Sequence, residues 1–479
     1  MSASTCSVCR DPIERALATL RPGGKNLTGL TMNIAAFVSG LSTQDIPARC
    51  LDAARIGMRD CVAVMIAGRN EPAPRLVADT VHETRANDGV PEIPLGRWLS
   101  PADAALVNGV AGHVLDYDDV GLDGHPSVAM TPAILAEGWA LDVGGAEALA
   151  AYVAGYEVWA LLENLEPGAM HERGFHPTAV SGTLASAAAC AYLNRLDDET
   201  TGHALAIAAS LASGLVANFG TMTKSLHAGR AAQAGVMAAR LAKAGFTGSS
   251  DALEHRTGFL RAHSASGSPD LARGYLGLGQ EWRLEEQGVH IKRYPICYAT
   301  HRSIDAMIDL AEGHDLRPDE VEEIHVETGR TQRLMLRNVA PKTGLEAKFS
   351  MEFAMASALV ERKVGLSELT DDFVGRSDVV AAMRKVTCTT TDETMPGLPF
   401  APSDTVSVRL RDGRRVAHAP VVHARGSWQS PMSEDELEEK FLDCCHAHLS
   451  DDHAARLFRS LGDMPNLVSV REVPLTVNP

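Results

Sequence analysis

The sequence predicts a mainly α protein: a large all-helical domain followed by a smaller α+β domain, with C-terminal helices that rejoin the first. Three observations carry this. From about residue 101 to 245 the chain is alanine-rich with apolar residues at helical spacing, broken by Gly and Pro. After about 285 the texture turns to alternating apolar and polar runs. With 479 residues, 45% of them hydrophobic, the chain suffices for two domains and needs no disulfide or metal to hold a core.

A Gly/Pro/Lys-rich stretch precedes Met32, so residues 1–31 are expected outside the packed domain. The helical domain is placed at 32–284. In "DIPARCLDAARIGMRDCVAVMIAG", Leu51, Ala54, Met58, Val62 and Met65 recur near a 3.6 period. Ser100-Pro101 caps one alanine-rich helix, and Asp198 or Thr200 is expected to cap another. These helices are apolar on every side, which fits a buried bundle. The α+β domain is placed at 285–428. "VEEIHVETG" and "KVTCTTTDE" read as strands, and Asp412-Gly413 between alternating runs reads as a hairpin. "HRSIDAMIDLAEGH" and "FSMEFAMASALVERK" read as helices between them. Residues 429–479 return to helix, opened by Ser433 and Glu436 at capping-box spacing.

Composition excludes several classes. A formal net charge of −17 lacks the basic footprint of a generic nucleic-acid binder. It does not exclude an anionic substrate, because the local field of a cleft decides binding. No stretch reaches the roughly 18 uncharged apolar residues of a membrane span. The first 30 residues lack the apolar core of a secretory signal. Nine cysteines, an odd number, suit a reducing compartment. The expected location is cytoplasmic. Cys6 and Cys9 form a CxxC without a second pair nearby, so a flexible tail is preferred to a zinc site.

Several signatures fail. No P-loop appears, and "GLGQEW" is not a dinucleotide-binding glycine pattern. His171 and His176 stand five apart, whereas a zinc-protease helix needs four. A calcium loop beginning at Asp116 would have Val120 and Ser127 where ligands are required.

Four polar clusters remain. The segment 108–127 crowds Asp116, Asp118, Asp119, Asp123 and His125 between apolar helices. Buried carboxylates there are costly unless paired. His176 precedes Pro177 at a helix start, where backbone N–H groups face an anion. Lys224 and His227 stand at the mouth of a long helix. Lys292, Arg293, Cys297 and His301 lie at the junction of the two domains. A lone His or Lys is more often a satisfied structural residue. Together these groups suit a pocket for a small polycarboxylate.

The blocks "NGVAGHVLDYDD…GHPS", "GFHPTAVSGTLASAAA", "NFGTMTKSLHAGRAAQAGVMAARLAKAGFTG", "IKRYPICYATH" and "EAKFSMEFAMASAL" resemble, in order, signature blocks of the MmgE/PrpD family. The resemblance spans roughly 35–475. It implies a helical domain with a smaller α+β lid domain, a homodimer, and no metal or organic cofactor. The family includes 2-methylcitrate dehydratase, cis-aconitate decarboxylase and iminodisuccinate epimerase. "FGTMTKS", "CYATH" and "AKFSME" look closest to the epimerase branch. The decarboxylase branch implies His at the position of Cys297 and Tyr at that of Phe353, and this sequence has neither.

The family's reactions share one step, making or breaking a bond at the carbon α to a carboxylate. The resemblance thus implies Lys224 and Lys292 as carboxylate clamps, and His125 or His176 as general base with the other as acid. Asp116 is expected to orient a histidine. Arg293, Cys297, His301 and His227 are expected to line the substrate pocket with Lys292. A dehydratase-type lyase is preferred, with an epimerase close behind and a silent binding protein of the same fold as a third reading.

Overall fold

The computed structural model describes residues 29–475 except 87, 272, 274–276 and 396–399. Cys6 and Cys9 lie outside the described residues. The first helix, α1, spans Leu30–Gly40, and Leu30 and Thr31 are fully buried in it. The packed body therefore begins two residues before the expected edge at 32. Thr31 Oγ1 fixes that start by donating to Glu254 Oε2 at 2.6 Å.

Helix α2, Ala48–Gly68, buries Cys50, Ala54, Met58, Cys61 and Met65 on one face. Helix α3, Pro101–His113, begins at the expected cap: Ser100 Oγ accepts from Asp103 N at 3.2 Å, with Pro101 in the first turn. Helices α4 (Pro126–Leu141), α5 (Gly145–Leu165) and α6 (Pro177–Leu193) follow. Helix α7, Asp198–Leu211, is capped by Asp197, not by Asp198 or Thr200; the Asp197 carboxylate accepts from Thr200 N at 2.8 Å. The cap is one residue early because Asp197 alone keeps extended backbone (φ −73°, ψ 176°).

The last of the bundle, α8, spans Met222–Lys243 and packs against α3 and α6. Small residues set these distances. A Cβ on Gly109 of α3 would stand 2.7 Å from the Gly229 Cα of α8. A Cβ on Gly235 would stand 2.3 Å from Ser186 Cβ of α6. The backbones touch, which places the N-terminus of α8, with Lys224 and His227, beside the C-terminal end of α3.

The α+β region has a separate core. Helix α9 (His301–Gly313) and helix α10 (Met351–Val360) pack with a four-stranded sheet. Its strands are β1 (Val321–Gly329), β2 (Val386–Thr391), β3 (Thr405–Leu410) and β4 (Arg415–Ala417), in the order β2-β1-β3-β4. β2 runs parallel to β1, with Val326 opposite Cys388; the other pairings are antiparallel. The Asp412-Gly413 turn joins β3 to β4, with Gly413 at φ 90°. One face is apolar: Val321, Ile324, Val326, Val406, Val408 and Leu410 are buried.

The tail returns to the bundle. Helix α11, Glu434–His446, opens with the expected capping box between Ser433 and Glu436. With helix α12, Asp451–Gly462, it shares one core with α2, where Phe441 and Phe458 pack near Met58 and Val62. A buried ion pair, Lys440 Nζ to Asp60 at 2.6 Å, ties α11 to α2. Among the described residues, no helix is long and apolar enough to cross a membrane.

Candidate active site

The loop between α3 and α4 is the centre of the site. Three helix ends converge on it. His113 closes α3, and His125 and His176 are the N-cap residues of α4 and α6, each followed by proline. The proline fixes the first helical φ, so each imidazole leaves the chain at a defined angle. The His113 and His125 ring centroids are 4.6 Å apart, and His113 stacks on His176 at 5.8 Å. His227 joins from α8, its Nδ1 3.2 Å from His176 Nδ1.

Asp116 lies between two lysines. Lys224 Nζ donates to Asp116 Oδ1 at 2.5 Å. Lys292 Nζ lies 3.1 Å from Asp116 Oδ2 and donates to the Asp116 carbonyl at 2.7 Å. Burial would push the Asp116 carboxyl up, but the two ammonium groups hold it well below the usual range. Lys224 answers in kind: burial opposes its charge, and Asp116 raises its pKa. Lys348, from the segment before α10, donates to the Leu115 carbonyl at 2.9 Å. Burial lowers its pKa to about 8.

The expectation that Asp116 orients a histidine is therefore corrected. Asp116 sits at φ 55°, in the left-handed region, and meets the lysines. Asp118 serves the histidines instead. Its Oδ2 accepts from His113 Nδ1 at 2.8 Å and lies 3.2 Å from His125 Nδ1. Asp118 stays well below the usual range: burial opposes this, and the two imidazoles overcome it. Asp119 is pushed well above its usual value by burial, with Ser127 Oγ at 2.6 Å as partner.

His113, His176 and His227 are held neutral. Burial brings His113 down to about 4, Asp118 opposing and Lys224 assisting. Burial, His113 and Lys224 carry His176 well below its usual value. His227 is lowered by burial and then by Lys224. Neutral imidazoles are competent bases. Three ammonium groups (Lys224, Lys292, Lys348) face two ionised carboxylates (Asp116, Asp118), which leaves a positive excess in an acidic protein. One ring nitrogen each of His113, His125 and His176 lies within 4.8 Å of the others, a spacing that admits a metal ion. The surrounding lysines oppose a further dication and favour a carboxylate.

The other expected residues divide. Cys297 is buried close to Asp116, Lys292 and Lys224; burial, then Asp116, raises its thiol pKa, so it is neutral there. His301 is one layer back. It is fully buried, its Nε2 lies 3.2 Å from the Ile296 carbonyl, and burial lowers it to about 3. Arg293 is not part of the cluster. Its guanidinium pairs with Glu436 of α11, because the capping box presents that carboxylate at the domain junction. The sequence reading assigned no role to Asp118, which it placed in the polar cluster, and passed over His113, Lys348 and Phe219. The Phe219 ring packs edge-on against His176 at 4.8 Å and lies 5.5 Å from Lys224 Nζ.

Comparison with known proteins agrees with this architecture. Residues 32–272 match the MmgE/PrpD N-terminal domain and residues 294–461 the MmgE/PrpD C-terminal domain. The chain is 32% identical over 381 residues to the cis-aconitate decarboxylase of Homo sapiens, covering 77% of this chain and 78% of that protein. It is 30% identical over 356 residues to that of Mus musculus, covering 72% and 71%. Against that of Aspergillus terreus it is 23% identical over 438 residues, covering 86% and 89%. The two domain matches flank the stretch where the helical bundle gives way to the sheet region, and between them they hold every residue of the buried cluster except Lys292: the chain belongs to the MmgE/PrpD family.

Proposed function

We propose that this chain is a cofactor-independent lyase that abstracts a proton α to a carboxylate of a small di- or tricarboxylate and expels a β-hydroxyl. The observation that supports this most is the juxtaposition of neutral, buried imidazoles with Lys224 in a crevice of positive excess. Proton abstraction leaves an enediolate-like anion. Lys224, whose side chain is 14% exposed, is the cation placed to hold the substrate carboxylate as charge develops. Lys292 is almost fully buried on Asp116 and supports the site through it. His125 and His176 exchange the proton.

The relatives are named cis-aconitate decarboxylases. Decarboxylation is less favoured here, because the family's decarboxylase branch implies His and Tyr where this chain has Cys297 and Phe353. Cys297 is a buried neutral thiol and Phe353 sits in the apolar core of the sheet region.

The deciding experiment offers the enzyme a panel of citrate-like and aspartate-like acids in deuterated water. A lyase gives α-deuterium exchange and an alkene absorbing in the ultraviolet. Exchange with inversion and no alkene identifies an epimerase. Binding without exchange identifies a silent binding protein and rejects the proposal.

A further inference from the structure

Asp118 is fully buried and takes no part in the proton transfer assigned above. Its Oδ2 accepts from His113 Nδ1 at 2.8 Å and lies 3.2 Å from His125 Nδ1. The other neighbour of His125 Nδ1 is the Asp119 carbonyl, at 2.8 Å. A carboxylate and a carbonyl can only accept, so Nδ1 of His125 must carry a proton. In the neutral ring, Nε2 then holds the lone pair. The same logic gives His113 a lone pair on Nε2, which is buried without a partner. His176 is held otherwise. Its Nδ1 faces His227 Nδ1, and either imidazole can donate in that contact.

We propose that Asp118 is a positioning residue that locks the proton of His125 on Nδ1 and so makes His125 Nε2 the base. This rests on the α-proton reading above and names the residue that performs it. The Nε2 lone pair forms an N–H bond as the substrate Cα–H bond breaks. The electron pair of that bond passes into the carboxylate, then forms the alkene as the β-hydroxyl departs. The hydroxyl leaves as water by taking up one proton, for which the His125 imidazolium is a donor. The positive charge formed on His125 meanwhile faces the Asp118 carboxylate, as in other carboxylate–imidazole pairs. His125 is also the more accessible ring, its side chain 11% exposed against none for His113.

Two measurements test this. Nitrogen NMR of the full chain labelled at histidine, with the His125 signal assigned by its loss in His125→Gln, should show a protonated Nδ1 and an unprotonated Nε2. The opposite tautomer overturns the proposal and needs no substrate. In kinetics, Asp118→Asn should lower kcat on the order of 10²-fold with KM changed less than about three-fold. Added to His125→Ala, it should cost less than about three-fold more, because residues that act as a unit are not additive. Fully additive losses overturn the proposal. If Asp118→Asn fails to fold, the NMR on the parent still tests the proposal, because an unprotonated Nδ1 on His125 overturns it. If the parent exchanges no α-proton from any acid tried, the lyase reading fails, whatever tautomer His125 shows.

Discussion

Lys224 Nζ lies 2.5 Å from Asp116 Oδ1, and Lys292 reaches the other oxygen of the same carboxylate. One buried anion thus pairs with two buried cations drawn from α8 and from the domain junction. Removing it leaves both lysines uncompensated. Asp116→Asn is expected to destabilise the protein by roughly 3–5 kcal/mol. The sign with pH follows from the lowered pKa of Asp116. Its contribution is present above the unfolded carboxylate value near 4 and is lost as pH falls below it. Urea unfolding between pH 7 and 3 should show a flatter acid limb in the variant. A parent-like acid limb at parent stability removes Asp116 from this role.

Lys224 is the cation of the pair that stays partly accessible. Its replacement by Ala should raise KM and lower kcat together, because it is asked to hold the carboxylate in both the ground and transition states. Steady-state kinetics on any turned-over acid check this. Parent values for both constants would refute the clamp.

The histidines set a second window. The folded-state pKa of His113 is lowered to about 4, while the unfolded ring titrates near 6.5. Between those values the unfolded chain binds a proton that the folded chain refuses. Stability is therefore intact above pH 6.5 and falls as pH drops toward 4, by about 1.4 kcal/mol per unit for this one group. His176 is lowered in the same direction and adds to the slope. His113→Gln should flatten that segment of the curve in urea titrations at pH 7.5, 6 and 5. A slope equal to the parent's places the titrating group elsewhere.

The two-region fold was legible because each region has its own period: Ala-rich helical spacing in α3 to α8, alternation in β1 and β3. Caps such as Ser100 and Ser433 were legible from local chemistry alone. The site was legible only where a residue stood in a quoted block. His125 and His176 announce themselves by preceding proline. His113 does not, since it ends a helix as an ordinary last-turn histidine. Only the turn that returns Asp118 to its Nδ1 reveals it. The exchange of roles between Asp116 and Asp118 depends on a single left-handed residue, which a run of aspartates conceals. Arg293 misled because the sequence does not show that Glu436 arrives beside it.

Gly109 offers a test of how packing supports chemistry. A Cβ there would stand 2.7 Å from the Cα of Gly229 and 3.1 Å from its backbone nitrogen. Both obstacles are main chain, so no side chain can swing aside. Gly109→Ala must push α3 and α8 apart. Overpacking of this kind costs about 1–3 kcal/mol. Alanine returns roughly 0.5–1 kcal/mol through its helical preference over glycine. The net expectation is a loss of about 1–2 kcal/mol in urea unfolding at pH 7. Lys224 lies little more than one turn before Gly229 on α8. A shift of that helix lengthens the contact with Asp116 on the loop that follows α3, so kcat should fall with stability. A Gly109→Ala variant with parent stability and parent kcat would mean that α3 and α8 do not meet as closely as the site requires.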